Sequence, residues 1–372
     1  MAKIGFLSHS DLSIALFRAP IMRALQKKGH EVFAIAPKGI MTQQIESEFK
    51  SVTYEIDKAS LNPLKIFKDS SDLASVLKEL NLDMLQTSAH KSNVFGTIAA
   101  KRAGVPIVLN LIEGLGSFYT NSDLKSKLVK FVMESLYKKT LNLSNATIFV
   151  NDSDPDYLLS KNIIKKEKVI RIKSVGIDSG EFDPENVTPY DYGSDKKIVL
   201  MIGRALFDKG IREFYEAAEI LKGRDDAQFV FVGDTYEGNK SSAAKEFLQS
   251  PNVRWISWSD KIKELLKGAY IYVLPSYKEG FPRTVLEAMS MEKACVVSRC
   301  DGCVEAIQEG INGLICEVRD SKDLAKKIEI LLDDESLAKK MGKAGRQMVL
   351  EHYDEKIVVE KYLEVYRKFI DV

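Results

Sequence analysis

In the stretch SYKEGFPRTVLEAMS, Ser276 to Ser290, two glutamates, Glu279 and Glu287, stand with seven residues between them. Gly280, Phe281 and Pro282 break the chain after Glu279, and Pro282 suits the first turn of a helix running from about Arg283 to Met291. Unpaired backbone N–H groups at such a helix start favour an anion. Glu287, on that helix, is placed to accept hydrogen bonds from a vicinal diol such as a ribose, while Glu279 sits in the loop. Taken alone, the pair also reads as a surface loop acid and an ordinary helix glutamate. A second loop, GRALFDKG, offers Gly203, Arg204, Lys209 and Gly210. Glycine permits close backbone approach, and an Arg with a Lys five positions on can clamp the phosphates of a diphosphate. By itself this loop is equally a solvated basic turn opening a helix.

Both loops need strands to hold them. The chain alternates short apolar runs with amphipathic stretches, the pattern of parallel α/β architecture. KIGFLS, EVFAIAP, DMLQTSA, PIVLNLI and ATIFV read as strands of a first half, and KIVLMIG, QFVFVG, NVRWIS, IYVLPS, ACVVS and GLICE as strands of a second. In LQKKGHEVFAIAP a helix ends at Lys27 and Lys28, Gly29 supplies a left-handed cap, and a strand opens at Val32. The Pro-, Gly-, Asp- and Ser-rich stretch FDPENVTPYDYGSDKK marks a break. The reading is a first doubly wound domain over 1–183, a linker over 184–195, a second domain over 196–350, and a C-terminal helix over 351–372 returning to the first domain. Open α/β sheets bind ligands beyond the carboxyl ends of their strands, where both loops fall.

The 372 residues are 45% hydrophobic and 29% charged, a composition of soluble globular proteins. The formal net charge is +1, with +5 over residues 1–183 and −4 over the rest, so the first half carries the modest basic excess and no nucleic-acid partner is expected. No apolar run approaches the ~18 residues of a membrane span, and MAKIGFLSHSDLS lacks the pattern of a signal peptide. Four cysteines are too few for a disulfide framework at this length. Cys300 and Cys303 form a lone C-x-x-C, better read as buried thiols than as a zinc site. The expected location is cytoplasmic.

GRALFDKG, LPSYKEGFPRTVLEAM, GCVEAIQEGINGLI and KSVGIDSGEFDP together resemble the recurring segments of the retaining, nucleotide-sugar-dependent glycosyltransferases of family 4. The resemblance implies a GT-B fold, two Rossmann-like domains facing across a cleft. It also implies roles: Glu279 toward donor-sugar hydroxyls, Glu287 toward the ribose, and Arg204 and Lys209 toward the diphosphate. Gly203, Gly280, Phe281 and Arg283 complete the expected donor site. Arg204, Lys209 and Glu279 are the expected catalytic group. Positive charge and helix-terminal N–H groups would stabilise the departing UDP, so neither metal nor cofactor is expected. Asp152 and Asp154 form a D-x-D pair of the kind that holds a metal in the other major glycosyltransferase fold. Placed between the strand ATIFV and Pro155, the pair reads here as a capping turn.

IGFLSHS, ASLNP, SAHKSNVFG, EGLGSFY and PSYKEGFP are further similar to the branch of the family that extends polyprenyl-diphosphate-linked sugars in bacterial N-linked protein glycosylation. That similarity implies UDP-GalNAc as donor, a polyprenyl-diphosphate-linked saccharide as acceptor and an α-1,3 linkage. It also implies a peripheral place on the cytoplasmic face of the inner membrane, beside other transferases of the same assembly line. Many relatives carry His-Gly where this chain reads Glu113-Gly114, so a histidine's role does not transfer. Glu113 and Gly114 are expected to contact a sugar or orient the acceptor. His9, Arg18, His90 and Lys91 lie in or just beyond strand-end loops, Arg18 and Lys91 as candidates for the acceptor diphosphate. In DLKSKLVKFVMESLYKKTL a helix would carry Leu124, Leu128, Phe131, Val132 and Leu136 on one arc and Lys127, Lys130 and Lys138 opposite, a surface for an anionic bilayer or a face for the domain core. Within the family the alternative is a transferase of lipopolysaccharide or capsule synthesis using another UDP-sugar or acceptor; outside it stand a UDP-sugar 2-epimerase and a non-catalytic UDP-sugar sensor.

Overall fold

The computed structural model describes residues 1–54, 63–116, 119, 123–236 and 238–372. Residues 59–62 of the ASLNP segment and residues 117 and 118 of EGLGSFY lie outside them. Two compact units share the chain: Met1–Val175 with Lys356–Val372, and Gly176–Glu355.

The first unit is built on a parallel sheet of β1 (Lys3–Ser8), β2 (Glu31–Ile35), β3 (Lys50–Val52), β4 (Met84–Ser88), β5 (Ile107–Ile112), β6 (Ala146–Phe149) and β7 (Val169–Arg171), in the order β3-β2-β1-β4-β5-β6-β7. The second has β8 (Lys197–Ile202), β9 (Ala227–Val232), β10 (Val253–Ile256), β11 (Ile271–Leu274), β12 (Ala294–Ser298) and β13 (Gly313–Cys316), ordered β10-β9-β8-β11-β12-β13. Strands covered by helices on both faces need apolar side chains on both, so they read as continuous apolar runs. In the second core Val199, Met201, Phe229, Phe231, Val273 and Val296 from the sheet meet Phe214, Leu324 and Ile328 from the helices. The order of each sheet reverses between its first and fourth strands in sequence, β1 beside β4 and β8 beside β11, and the loops following those strands therefore flank an open crevice.

Residues 176–195 do not hang free between the units. Phe182 and Tyr192 are buried, Ser290 donates to the Phe182 carbonyl at 2.7 Å, and the Tyr192 hydroxyl donates to the Leu265 carbonyl at 2.8 Å. The stretch expected as a linker at 184–195 is a strap on the second unit, because its aromatic residues have apolar surface to bury and its turn-rich composition conceals that. The chain passes between units at Val175–Gly176 and Glu355–Lys356 instead. There Ile177 N–H donates to the Tyr353 carbonyl at 3.0 Å and Glu355 N–H to the Ile177 carbonyl at 2.8 Å. The helix Glu355–Tyr366 then contributes Tyr362 and Tyr366 to the first unit, Tyr366 edge-on to Phe6 and hydrogen-bonded to Gln86. Among the described residues no helix is long and apolar enough to cross a membrane.

Candidate active site

At the switch point of the second sheet the loop after β8 and the loop after β11 are stitched together. Tyr277 N–H donates to the Asp208 carbonyl at 2.9 Å. Gly210, at φ +75°, lets the first loop press on the second, since a Cβ there would stand 2.0 Å from the Pro275 carbonyl oxygen. The short 3-10 turn Phe207–Lys209 thereby carries Lys209 to Glu279, Nζ to Oε1 2.5 Å. Ser276 Oγ donates to the same oxygen at 2.7 Å, and Glu279 N–H donates to the Asp301 carbonyl at 3.1 Å. Gly302, at φ +80°, closes behind this loop, with room for no Cβ beside the Gly280 carbonyl 2.5 Å away. The cation and carboxylate expected at a diphosphate and a sugar are thus one another's neighbours, held from three sides.

Glu287 lies in the helix Arg283–Ser290 and is buried. Burial pushes its carboxyl above the usual range, opposed by Arg283, whose Nε donates to Oε1 at 2.9 Å. An ionised Glu287 therefore costs the ligand-free fold stability near neutral pH, a cost that fades as pH falls through the carboxyl's raised range. A donor such as a diol hydroxyl would offset it. Gly203 adopts no left-handed φ, and nothing lies within 4 Å of where its Cβ would be. Neither backbone nor packing asks for glycine there. Arg204 is exposed, with its guanidinium carbon 5.2 Å from the centre of the Tyr236 ring.

Phe281 turns its side chain to the core. Its ring is buried and packs at 5.4 Å on Tyr353, so the side chain anchors the loop from behind and only the backbone is left for a donor contact. The apolar ring gains more from the core than from a polar crevice. The D-x-D pair is a turn in which Asn151, not either aspartate, does the capping: Asn151 Oδ1 accepts from Asp154 N–H at 2.9 Å. Asp152 is ion-paired with Arg171 and Lys173. All four cysteines are buried and reduced.

In the first unit the expected acceptor residues divide. Arg18 does not reach the surface: it is 2% exposed and donates to Glu113 Oε1 at 2.6 Å. His90 is turned to the Tyr137 hydroxyl; desolvation, with His9 beside it, pushes its imidazole down to about 4, so it is uncharged at neutral pH and no phosphate clamp. Lys91 sits half-buried in the first turn of the helix His90–Ala103, and Gly114 takes φ +144° directly after Glu113. The helix Leu124–Leu143 turns one face to the core and another to solvent. Met133, Tyr137 and Leu141 enter the core, while Leu124, Leu128 and Phe131 are 85%, 63% and 69% exposed. Lys127 and Lys138 are exposed as well. Lys130 is not on that outer face, for its ammonium lies 4.9 Å from both the Tyr119 and Tyr157 ring centres, where cation–π attraction compensates partial desolvation.

Sequence reasoning missed Ser276, Tyr236, Gly302 and Tyr362. A Ser three residues before a key glutamate was a visible signal, whereas nothing near Arg18 in sequence points to Tyr362.

Paired doubly wound sheets with charged loops at the switch point define a protein of the GT-B class. Solved structures share the fold: a glycosyltransferase from Rickettsia africae at TM-score 0.80 and 23% identity, covering 99% of this chain and 98% of that one. Anabaena HepE, solved with UDP and glucose, aligns at TM-score 0.80 and 16% identity over 99% and 100%. The model described as "Glycosyl transferases group 1" matches residues 184–348, and "Glycosyl transferase 4-like" matches 3–152. The N,N'-diacetylbacillosaminyl-diphospho-undecaprenol alpha-1,3-N-acetylgalactosaminyltransferase of Campylobacter jejuni is 46% identical over 99% of both chains. A capsular polysaccharide biosynthesis glycosyltransferase of Staphylococcus aureus is 26% identical, covering 99% of this chain and 97% of its own. This chain belongs to the group 1, family 4 glycosyltransferases.

Proposed function

We propose that the chain is a retaining transferase that moves GalNAc from UDP-GalNAc to polyprenyl-diphosphate-linked N,N'-diacetylbacillosamine in an α-1,3 linkage, in assembly of a lipid-linked oligosaccharide for protein N-glycosylation. The observation that carries this reading is the end-to-end 46% identity with the Campylobacter jejuni enzyme, which extends through the first domain, where acceptor chemistry would be read.

In this mechanism the bond between the sugar's anomeric carbon and the UDP phosphate oxygen breaks while that carbon bonds to the acceptor oxygen. The acceptor's proton passes to the departing phosphate oxygen on the same face, so configuration is retained and UDP leaves protonated. The cations Arg204 and Lys209 stabilise the charge that develops on the diphosphate, with backbone N–H groups at the start of helix Arg283–Ser290, and no metal is required. Glu279 accepts from donor-sugar hydroxyls and Glu287 from the ribose.

Incubation with a panel of UDP-sugars and polyprenyl-diphosphate-linked acceptors, with and without EDTA, tests the proposal. GalNAc transfer to the bacillosamine acceptor, retained within about twofold in chelator, is expected; strict metal dependence would defeat the mechanism. Transfer of galactose to a GlcNAc-linked acceptor would favour the chemistry of the Escherichia coli UDP-Gal:alpha-D-GlcNAc-diphosphoundecaprenol alpha-1,3-galactosyltransferase, 24% identical to this chain. Glu287→Gln should weaken UDP binding roughly tenfold, the loss of one charge-assisted hydrogen bond. Because the buried carboxylate is costly without ligand, the same variant should melt no lower than wild type when ligand-free. Calorimetric titration and a thermal melt check both halves, and unaltered UDP affinity would remove Glu287 from the ribose.

The membrane-bound acceptor suits a peripheral place on the bilayer. The exposed stripe Leu124, Leu128 and Phe131, with Lys127 and Lys138, supplies apolar area and positive charge for an anionic surface. Leu128→Glu with Phe131→Glu should reduce sedimentation with anionic phospholipid vesicles at least tenfold, with turnover on a short-chain soluble acceptor as control. Undiminished co-sedimentation would rule this face out.

A further inference from the structure

Arg18 has no evident reason to be charged. It ends a π-helical turn, Ile14–Arg18, whose wider winding turns both end residues into the interior, and such turns recur at functional sites. There the guanidinium meets Glu113 at 2.6 Å and the face of Tyr362, ring centre 6.0 Å away. Among the described residues its Nε has no hydrogen-bond partner. A buried cation with an unsatisfied donor is poor material for stability alone, since apolar residues of similar volume often serve a fold equally well.

Glu113 gives the arrangement its direction. It follows β5 directly, on the carboxyl-end face of the first sheet, and its side chain remains 24% exposed while one oxygen is held by Arg18. One end of the carboxylate is thus fixed from below and the group still opens to the crevice where such sheets bind ligands. Tyr362 comes from the C-terminal helix, whose Tyr366 is itself bonded to Gln86 of β4. The helix therefore sets Tyr362 against the guanidinium that holds Glu113.

Resting on the transferase reading, we propose that Arg18 is a positioning residue of the reaction. It holds the Glu113 carboxylate in the one orientation that receives a sugar hydroxyl, and the C-terminal helix locks it there through Tyr362.

A double-mutant cycle tests this with purified full-length protein: wild type, Arg18→Met, Glu113→Gln, the double variant and Arg18→Lys. In each, kcat and acceptor KM are measured by GalNAc transfer, and calorimetric UDP binding reports the folded, donor-competent fraction. Arg18→Met should lower kcat about 30-fold, as misplacement of a group near the reacting atoms does. The double variant should be no worse than Glu113→Gln within about threefold, because residues acting as a unit are not additive. Arg18→Lys, which keeps the charge without the fork, should recover part of kcat. UDP affinity should not change, as its expected ligands lie in the other unit. Losses that multiply in the double variant, a kcat within twofold of wild type in Arg18→Met, or a fall in kcat matched by a fall in UDP-binding fraction would each overturn the proposal. Wild type with bound UDP but no transfer to any acceptor would overturn the transferase reading and this proposal with it.

Discussion

Lys209→Ala is expected to lower kcat about 100-fold, the cost of removing one preorganised donor aimed at charge that develops in the transition state. Its ammonium is neither buried nor loose: it is partly enclosed and fixed by Glu279 at 2.5 Å, with Ser276 on the same carboxylate oxygen. Preorganisation of this kind lets a cation act without reorganising as the diphosphate departs. Removing it also leaves Glu279 without its counter-charge beside an expected dianionic leaving group, which adds to the loss. KM for UDP-sugar should change less than kcat, because the role is greatest when the bond has largely broken. Steady-state kinetics separates the two, and turnover equal to wild type would exclude Lys209 from the reaction.

Gly210→Ala should destabilise the second unit by roughly 3–5 kcal/mol, among the larger effects of a single substitution. Two causes combine. The residue sits at φ +75°, a conformation costing about 1 kcal/mol or more for an L-residue, and the new Cβ would meet the Pro275 carbonyl at 2.0 Å. That neighbour is backbone and carries the loop to Glu279, so relief comes only by separating the two loops. A melting temperature lower by ~10 °C, with transferase activity falling further than the folded fraction, is the expected outcome. A variant that melts with wild type would show that the loops have slack.

These two residues also show what could be read in advance. The strands carrying the loops were legible because continuous apolar runs are a local signal, as were helix punctuation at Gly29 and the placement of Arg204, Lys209, Glu279 and Glu287 in the segments that follow two of those strands. The edge strands β3 (Lys50–Val52) and β7 (Val169–Arg171) were not, since three residues with polar ends carry too little periodicity. The inward turn of the Phe281 ring was hidden for a different reason: motif position says which loop a residue occupies but not which side of it faces the core.

The sequence by itself determined the architecture class, the family and the charged loops that follow the strands, because apolar patterning, glycine and proline act over a few residues. Only the tertiary structure decided which groups meet. Strand order sets Lys209 against Glu279 across 70 residues and Arg18 against Glu113 across 95, and the returning C-terminal helix adds Tyr362. It also folded residues 176–195 onto the second unit and turned Lys130 and His90 inward. Each of these rests on desolvation and pairing between distant segments, energies that exist only once the sheets have brought those segments together.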